Sequence, residues 1–255
     1  MSSASRTIAQ PDCSADEWAL RVDLAAAFRI TADLDWHESV ANHFSATVSA
    51  DGKSFLLNPK WKHFSLVKAS DLLKLNVDDS SVMDSDNPPE PTAWCIHGAV
   101  HARVPHAKVL LHCHPPYATA LSCLKDPSIP SIDQNTARFH NRIAIDLNFG
   151  GIADDEAEGE RIAHTFGNHS IMMMGNHGVS VCAETVAEAF EHLYYLERAA
   201  KTLMLAYSAG KPLSILPDDL AEETAQAWET YSDSAFAHFE QLKMLLDKQS
   251  PDYKD

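Results

Sequence analysis

The sequence predicts a mixed α/β or α+β protein built on one main sheet. Short apolar runs bounded by turn residues recur as strands, stretches with apolar residues at 3.6-residue spacing read as helices, and the two kinds alternate along all 255 residues. Internal repeats and low-complexity tracts are absent, so one large domain is expected at this length, with two small ones as the alternative.

The first thirteen residues are polar and are expected to be loose. Ser14, followed three residues later by Glu17, forms a capping box that starts a helix reaching about Leu34. Phe55-Leu56-Leu57 and Leu72 to Val77 read as short strands, followed by a proline-rich loop from Asp78 to Pro91. Trp94 to Arg103 reads as a helix, Ala107 to Leu111 as a buried strand, and Tyr117 to Leu124 as a helix opened by Pro115 and Pro116, where proline is tolerated. Ile143 to Leu147 is a further strand, and Asp155 with Glu158 caps a helix to about Phe166. Ile171 to Met174 and Val179 to Cys182 form a hairpin-like pair around Gly175-Asn176-His177-Gly178. Thr185 and Glu188 cap the most regular helix, with Val186, Ala189, Phe190, Leu193, Leu196, Ala200 and Leu203 on one stripe and Gly210 at its end. After a linker with Pro212 and Pro217, one acidic amphipathic helix is expected from about Asp219 to Asp247.

Apolar residues at 45% suffice for a sizeable core, and charged residues at 22% are ordinary. A formal net charge of −16, with no basic stripe, argues against nucleic acid or an anionic membrane as partner. It leaves room for an anionic small molecule, because one metal or a few N–H groups can outweigh the global field. Neither a membrane span nor a signal-peptide h-region is visible, and five cysteines without a Cys-x-x-Cys fit reduced thiols, so a cytoplasmic location is expected.

The chemistry concentrates in Leu110-Leu111-His112-Cys113-His114-Pro115 and Met174-Gly175-Asn176-His177-Gly178. Side chains alternate along a strand, so His112 and His114 project to one side and Cys113 to the other. Two such imidazoles, joined by a third from a turn, can form a three-nitrogen metal site with an open position, as in catalytic zinc centres. With fourteen histidines in the chain, satisfied or exposed imidazoles remain the competing reading of the spacing.

These pieces, with Asn42-His43-Phe44-Ser45, Ile96-His97-Gly98, Tyr117-Ala118-Thr119-Ala120 and the Gly150-Gly151-Ile152-Ala153 turn, resemble the class II aldolase/adducin family over about residues 19 to 215, and most of all its adducin-like bacterial branch. The resemblance implies an α/β fold, a single domain whose central, mostly antiparallel sheet is flanked by helices; with the reading of the ends above, the chain divides into a flexible N-terminus (1–13), that domain (14–215) and a C-terminal helical extension (216–255). It implies Zn²⁺ or another divalent transition metal on His112, His114 and His177, and a homo-oligomer, commonly a cyclic tetramer. It further implies a small carbonyl substrate whose enolate the metal stabilises in aldol cleavage; decarboxylation of a small carboxylate substrate fits the same metal chemistry.

Two departures qualify the activity. The glutamate that moves the proton in family aldolases falls, by the match to His97, on Ala93 in Thr92-Ala93-Trp94-Cys95-Ile96-His97. A methyl group transfers no proton, so His97, one helical turn on, is the first candidate for the shuttle. Its alternative is a core histidine. Glu90, His140, Tyr194, Tyr195, Tyr231 and Tyr117 are weaker candidates, better read as surface or packing residues. Asn42, Ser45 and Thr92 are the candidate substrate-binding residues, but no glycine lies between Asn58 and Leu72 to build the family's phosphate loop. Lys60, Lys62, Lys68 and Ser70 there read as ordinary surface. The expected function is therefore a metal-dependent lyase, with a catalytically silent adducin-like scaffold or a sugar-phosphate epimerase as alternatives.

Overall fold

The computed structural model describes residues 13–148, 151 and 156–255. The expected loose N-terminus lies outside these but for Cys13, as does the Gly150-Gly151-Ile152-Ala153 turn apart from Gly151, and the Asp155 cap. In chain order the elements are α1 (Ala15–Asp33), β1 (His43–Thr47), β2 (Ser54–Leu57), β3 (Leu73–Asn76), α2 (Pro91–Arg103), β4 (Val109–Cys113), α3 (Pro116–Ser122), α4 (Gln134–Ala137), β5 (Ile143–Asp146), α5 (Glu156–Phe166), β6 (Ile171–Met174), β7 (Gly178–Ala183), α6 (Val186–Ser208), α7 (Asp218–Glu229) and α8 (Asp233–Gln249).

The strands form a seven-stranded sheet in the order β3-β2-β1-β4-β7-β6-β5. Among the described residues its pairings are antiparallel except β5 with β6, which α5 connects as a crossover. This is the α/β fold with a mostly antiparallel sheet flanked by helices that the resemblance implies.

Helices cover both faces, which is why the central strands read as nearly unbroken apolar runs. Leu111 and Cys113 of β4 point into one core with Leu24 and Phe28 of α1 and Leu193 and Leu196 of α6. Leu110 points the other way, among Ile96 and Val100 of α2 and Ile162 and Phe166 of α5. His112, two residues after Leu110, therefore faces α2. The register carries the same face outward to His43, opposite His112, and Ser45, opposite Leu110, on β1, and to Ser180 on β7. A polar stripe thus crosses the middle of the sheet under α2.

The single helix expected from Asp219 to Asp247 is corrected to two, α7 and α8, broken at Thr230 to Ser232. Short hydroxylated side chains compete for helix carbonyls there: Thr230 Oγ1 donates to Ala227 O at 2.7 Å and Ser234 Oγ to Tyr231 O at 2.9 Å. An unbroken helix of that span would run about 43 Å past the domain. The break folds α8 back, so Phe239 and Leu246 join the α1–α6 core together with Tyr253 beyond the helix.

Candidate metal centre

His112 lies in the buried strand β4, one residue before its end at Cys113, and His177 sits in the three-residue loop joining β6 to β7, whose outermost pair is Met174 with Gly178. Asn176 takes the left-handed conformation (φ +57°) that closes such a loop and that asparagine tolerates. Gly178 is required by packing: a Cβ there would lie 2.4 Å from His114 Cδ2 and 2.9 Å from the Cys113 carbonyl oxygen. On the far side of His114, the buried Glu197 carboxylate accepts the Tyr117 and Ala118 N–H groups at 3.0 and 2.7 Å, pinning the start of α3.

The loop and strand bring His112, His114 and His177 together. One ring nitrogen from each lies within 4.8 Å of the others, and the ring centroids are 4.8–5.1 Å apart. The remaining nitrogens fix which atoms face inward. His112 Nδ1 is 3.0 Å from the Val179 carbonyl, which only accepts, so Nδ1 carries the hydrogen and Nε2 keeps its lone pair. His114 Nδ1 donates to Glu38 Oε2 at 2.8 Å, and its Nε2 is buried with no partner. Burial, reinforced by neighbouring imidazoles, pushes His112 well below the ordinary histidine range and His177 down to about 4. Three converging ring nitrogens, one of them a buried orphan, are the donor set for a borderline divalent cation.

A second group of imidazoles lies behind this one. His43 stacks on His112 with centroids 4.8 Å apart. Its Nδ1 is 2.7 Å from His97 Nε2, His97 Nδ1 contacts Ser45 Oγ, Ser45 Oγ is 2.6 Å from His101 Nε2, and His101 Nδ1 is 2.6 Å from the Ala107 carbonyl. Ser45 and His97 are fully buried. His97 thus meets the cluster through His43, and the Ser45 hydroxyl is enclosed between two histidines. Asn42 Oδ1 accepts the Glu38 N–H at 2.7 Å, bracing the residue that holds His114. Thr92 Oγ1 donates to the Glu90 carboxylate, which also caps α2 through the Ala93 N–H at 2.9 Å. Ala93 is buried in an apolar cluster with Phe55, Leu57 and Leu75.

Sequence reasoning named Asn42-His43-Phe44-Ser45 but gave no role to His43 or Glu38. The alternation of β1 would have placed His43 and Ser45 on one face had the strand been foreseen. Glu38 reaches His114 across 76 residues and leaves no local signal. Of the weaker candidates, His140 lies 3.4 Å from Ser131 Oγ, Tyr195 packs on the Arg138 guanidinium and Tyr231 is exposed.

A cavity of about 570 Å³ sits elsewhere, lined by Arg138, Arg142, His192 and Trp228 and reaching Ile171 and Ala183. Those last two residues mark the end of β6 and β7 remote from His177, about 17 Å along the strand. The cavity is therefore separate from the cluster. Among the described residues no helix is long and apolar enough to cross a membrane.

The sequence matches the family model described as "Class II Aldolase and Adducin N-terminal domain" over residues 22–204. An adducin-related protein of Schizosaccharomyces pombe is 31% identical over 189 residues, 70% of this chain and 56% of that protein. An aldolase II superfamily protein from Pseudomonas syringae has a solved structure that superposes with a TM-score of 0.87 at 31% identity, over 96% of this chain and 98% of that one. The L-fuculose 1-phosphate aldolase of Glaciozyma antarctica shares the fold, with a TM-score of 0.79 at 21% identity over 96% of this chain and 97% of that one. With its family model spanning residues 22–204 and the sheet and histidine cluster in place, the chain belongs to the class II aldolase and adducin family.

Proposed function

We propose that the protein is a divalent-metal-dependent lyase that makes or breaks a carbon–carbon bond next to a carbonyl, by aldol cleavage or decarboxylation of a small hydroxy or keto compound. The buried, unpartnered Nε2 of His114 carries this reading, because an orphaned lone pair between two further imidazoles is accounted for by a cation. His112, His114 and His177 would hold the ion, with Zn²⁺ the first choice for an all-imidazole set. When bound, it supplies Lewis-acid stabilisation of the negative charge that develops on a substrate oxygen.

The protein's own groups do the rest. The Val179 carbonyl and Glu38 carboxylate orient His112 and His114. The face of the sheet under α2 keeps water from His112. A proton leaving the site toward α2 passes through His43 before His97, so His97 serves as shuttle only with His43 between it and the substrate.

The test is metal content of the purified chain, followed by turnover with hydroxyketones, sugar phosphates and keto acids after zinc, manganese or cobalt loading. Alanine replacement of the three histidines should abolish both metal and turnover; full activity in that variant refutes the proposal. Ala93, buried among Phe55, Leu57 and Leu75, favours a second reading as a silent adducin-like scaffold. A chelator that lowers the melting temperature steeply, with no turnover of any compound class, supports the scaffold over the enzyme.

A further inference from the structure

We infer that the buried chain from the Ala107 carbonyl through His101, Ser45 and His97 locks His43 into the form that offers its Nε2 lone pair beside the three-histidine cluster, where it accepts the hydrogen of a substrate hydroxyl. His43 thereby selects, among the hydroxy or keto compounds proposed above, the class that brings an O–H beside the carbonyl oxygen. The placement of substrate rests on the metal-centre reading above; the lock does not.

The polarity of the chain follows from its anchored end. A backbone carbonyl only accepts, so the His101 Nδ1 at 2.6 Å from Ala107 O carries the hydrogen. A neutral imidazole has one hydrogen, so His101 Nε2 accepts, and its partner at 2.6 Å, Ser45 Oγ, donates. That hydroxyl has then used its only hydrogen. Its short contact with His97 Nδ1 is therefore His97 donating, which leaves His97 Nε2 as an acceptor. The His43 Nδ1 at 2.7 Å must donate to it, and the remaining nitrogen of His43 holds a lone pair. One fixed carbonyl thus sets the hydrogen positions of three rings in turn.

Neutrality of the rings has a structural cause. His43, His97 and His101 are 6%, 0% and 4% exposed, and the chain contains no carboxylate. Burial holds His101 at about 4 and keeps His97 well below the ordinary histidine range.

The ring that carries the free nitrogen borders the site. His43 is the register partner of His112 and stacks on it at an interplanar angle of 29°, and its Nδ1 edge turns back to His97. A lone pair at that point rewards a hydrogen donor and repels carboxylate or phosphate oxygens, which bring only lone pairs.

The full-length chain labelled with ¹⁵N-histidine tests the lock directly, because long-range ¹H–¹⁵N spectra show which ring nitrogen bears the hydrogen. In the metal-free protein His43, His97 and His101 should all be hydrogenated at Nδ1, and S45A should release His43 and His97 into mixed forms while His101 keeps its own. A His43 ring hydrogenated at Nε2 overturns the lock, and the wild-type spectra decide this even if S45A fails to fold. Hydroxyacetone and methoxyacetone, which differ only by the O–H, then probe the ligand class. The zinc-loaded wild type should prefer hydroxyacetone by roughly tenfold, the size of one hydrogen bond, and Ser45→Thr, which retains the hydroxyl, should keep that preference. Equal binding of the two ketones, or of neither, overturns the hydroxyl assignment while leaving the lock standing. If zinc does not bind the wild type, the metal-centre reading falls instead, and the same two ketones titrated against the metal-free chain decide the assignment.

Discussion

Two sets of histidines lie within one face of this sheet, and they differ in what their second nitrogens meet. His97 and His101 have both ring nitrogens engaged, within a chain that ends on a backbone carbonyl. His112 and His114 each spend one nitrogen on the Val179 carbonyl or on Glu38 and turn the other toward His177. Burial does not separate the sets, since His112 is 2% exposed and His101 4%. The difference teaches that the partner of the second nitrogen, not burial, is what separates one buried histidine from another. Fourteen histidines in the sequence cannot be sorted by count or hydropathy.

The largest effect that could break this contrast is on metal affinity. Alanine at His112, His114 or His177 should lower zinc affinity by more than about 100-fold, since loss of an outer partner alone costs about 10–100-fold. His101→Ala should change it by less than about tenfold, because its nearest link to the cluster runs through three other residues. Competition with a chelator of known affinity reads both. Similar losses in the two sets would erase the distinction.

Stability should invert the order. In the metal-free protein S45A strands the His97 Nδ1 hydrogen and the His101 Nε2 lone pair in a fully buried place, and should lower the unfolding free energy by roughly 2–4 kcal/mol. His114→Ala removes one nitrogen that already lacks a partner and one bond to a largely exposed carboxylate, so its effect should stay within about 1 kcal/mol. Urea titrations of the two variants give the comparison, and a larger loss for His114→Ala would count against it.

How much of this was legible in the sequence depended on the distance over which each signal acts. His112 and His114 lie two residues apart on a strand and His177 lies in a tight turn, so strand alternation and turn chemistry place all three. The long α6 was legible for the same reason, its apolar stripe being a local property. The strand β1 was not. Its sequence, His-Phe-Ser-Ala-Thr, carries polar residues on the face that meets α2, and a polar face turned inward reads as a loop. Glu38 was also hidden, since its contact with His114 is made far along the chain, while the break at Thr230 has a local cause, hydroxyls that bond nearby carbonyls, which the apolar spacing of the segment masked. Ala93 shows the converse: the match to His97 located it, but only the fold shows Phe55, Leu57 and Leu75 closing around it.

Acid should sharpen the difference further. Burial lowers His101 to about 4 and His43 to about 3, against an unfolded value near 6.5. Between these limits the unfolded chain binds more protons than the folded one, so stability rises with pH in that window. The contribution is complete above about pH 6.5, is lost as pH falls, and levels off once the folded rings themselves protonate. For His101 alone it amounts to something of the order of 3 kcal/mol. Melting the metal-free protein from pH 7 to pH 4 should show the decline. A flat profile would mean that the chain is already charged, and the tautomer lock would fall with it.

The smallest effect concerns Glu38, which is 61% exposed at its side chain and still holds His114 Nδ1 at 2.8 Å. An exposed carboxylate contributes little to folding by itself. Its value lies in the ring it orients, so Glu38→Ala should leave the metal-free melting temperature unchanged and weaken zinc binding by about tenfold. Glu38→Gln keeps an oxygen that can accept from Nδ1 and should recover most of that loss. If alanine and glutamine behave alike, the contact works through charge alone, and His114 is positioned by Gly178 and the start of α3.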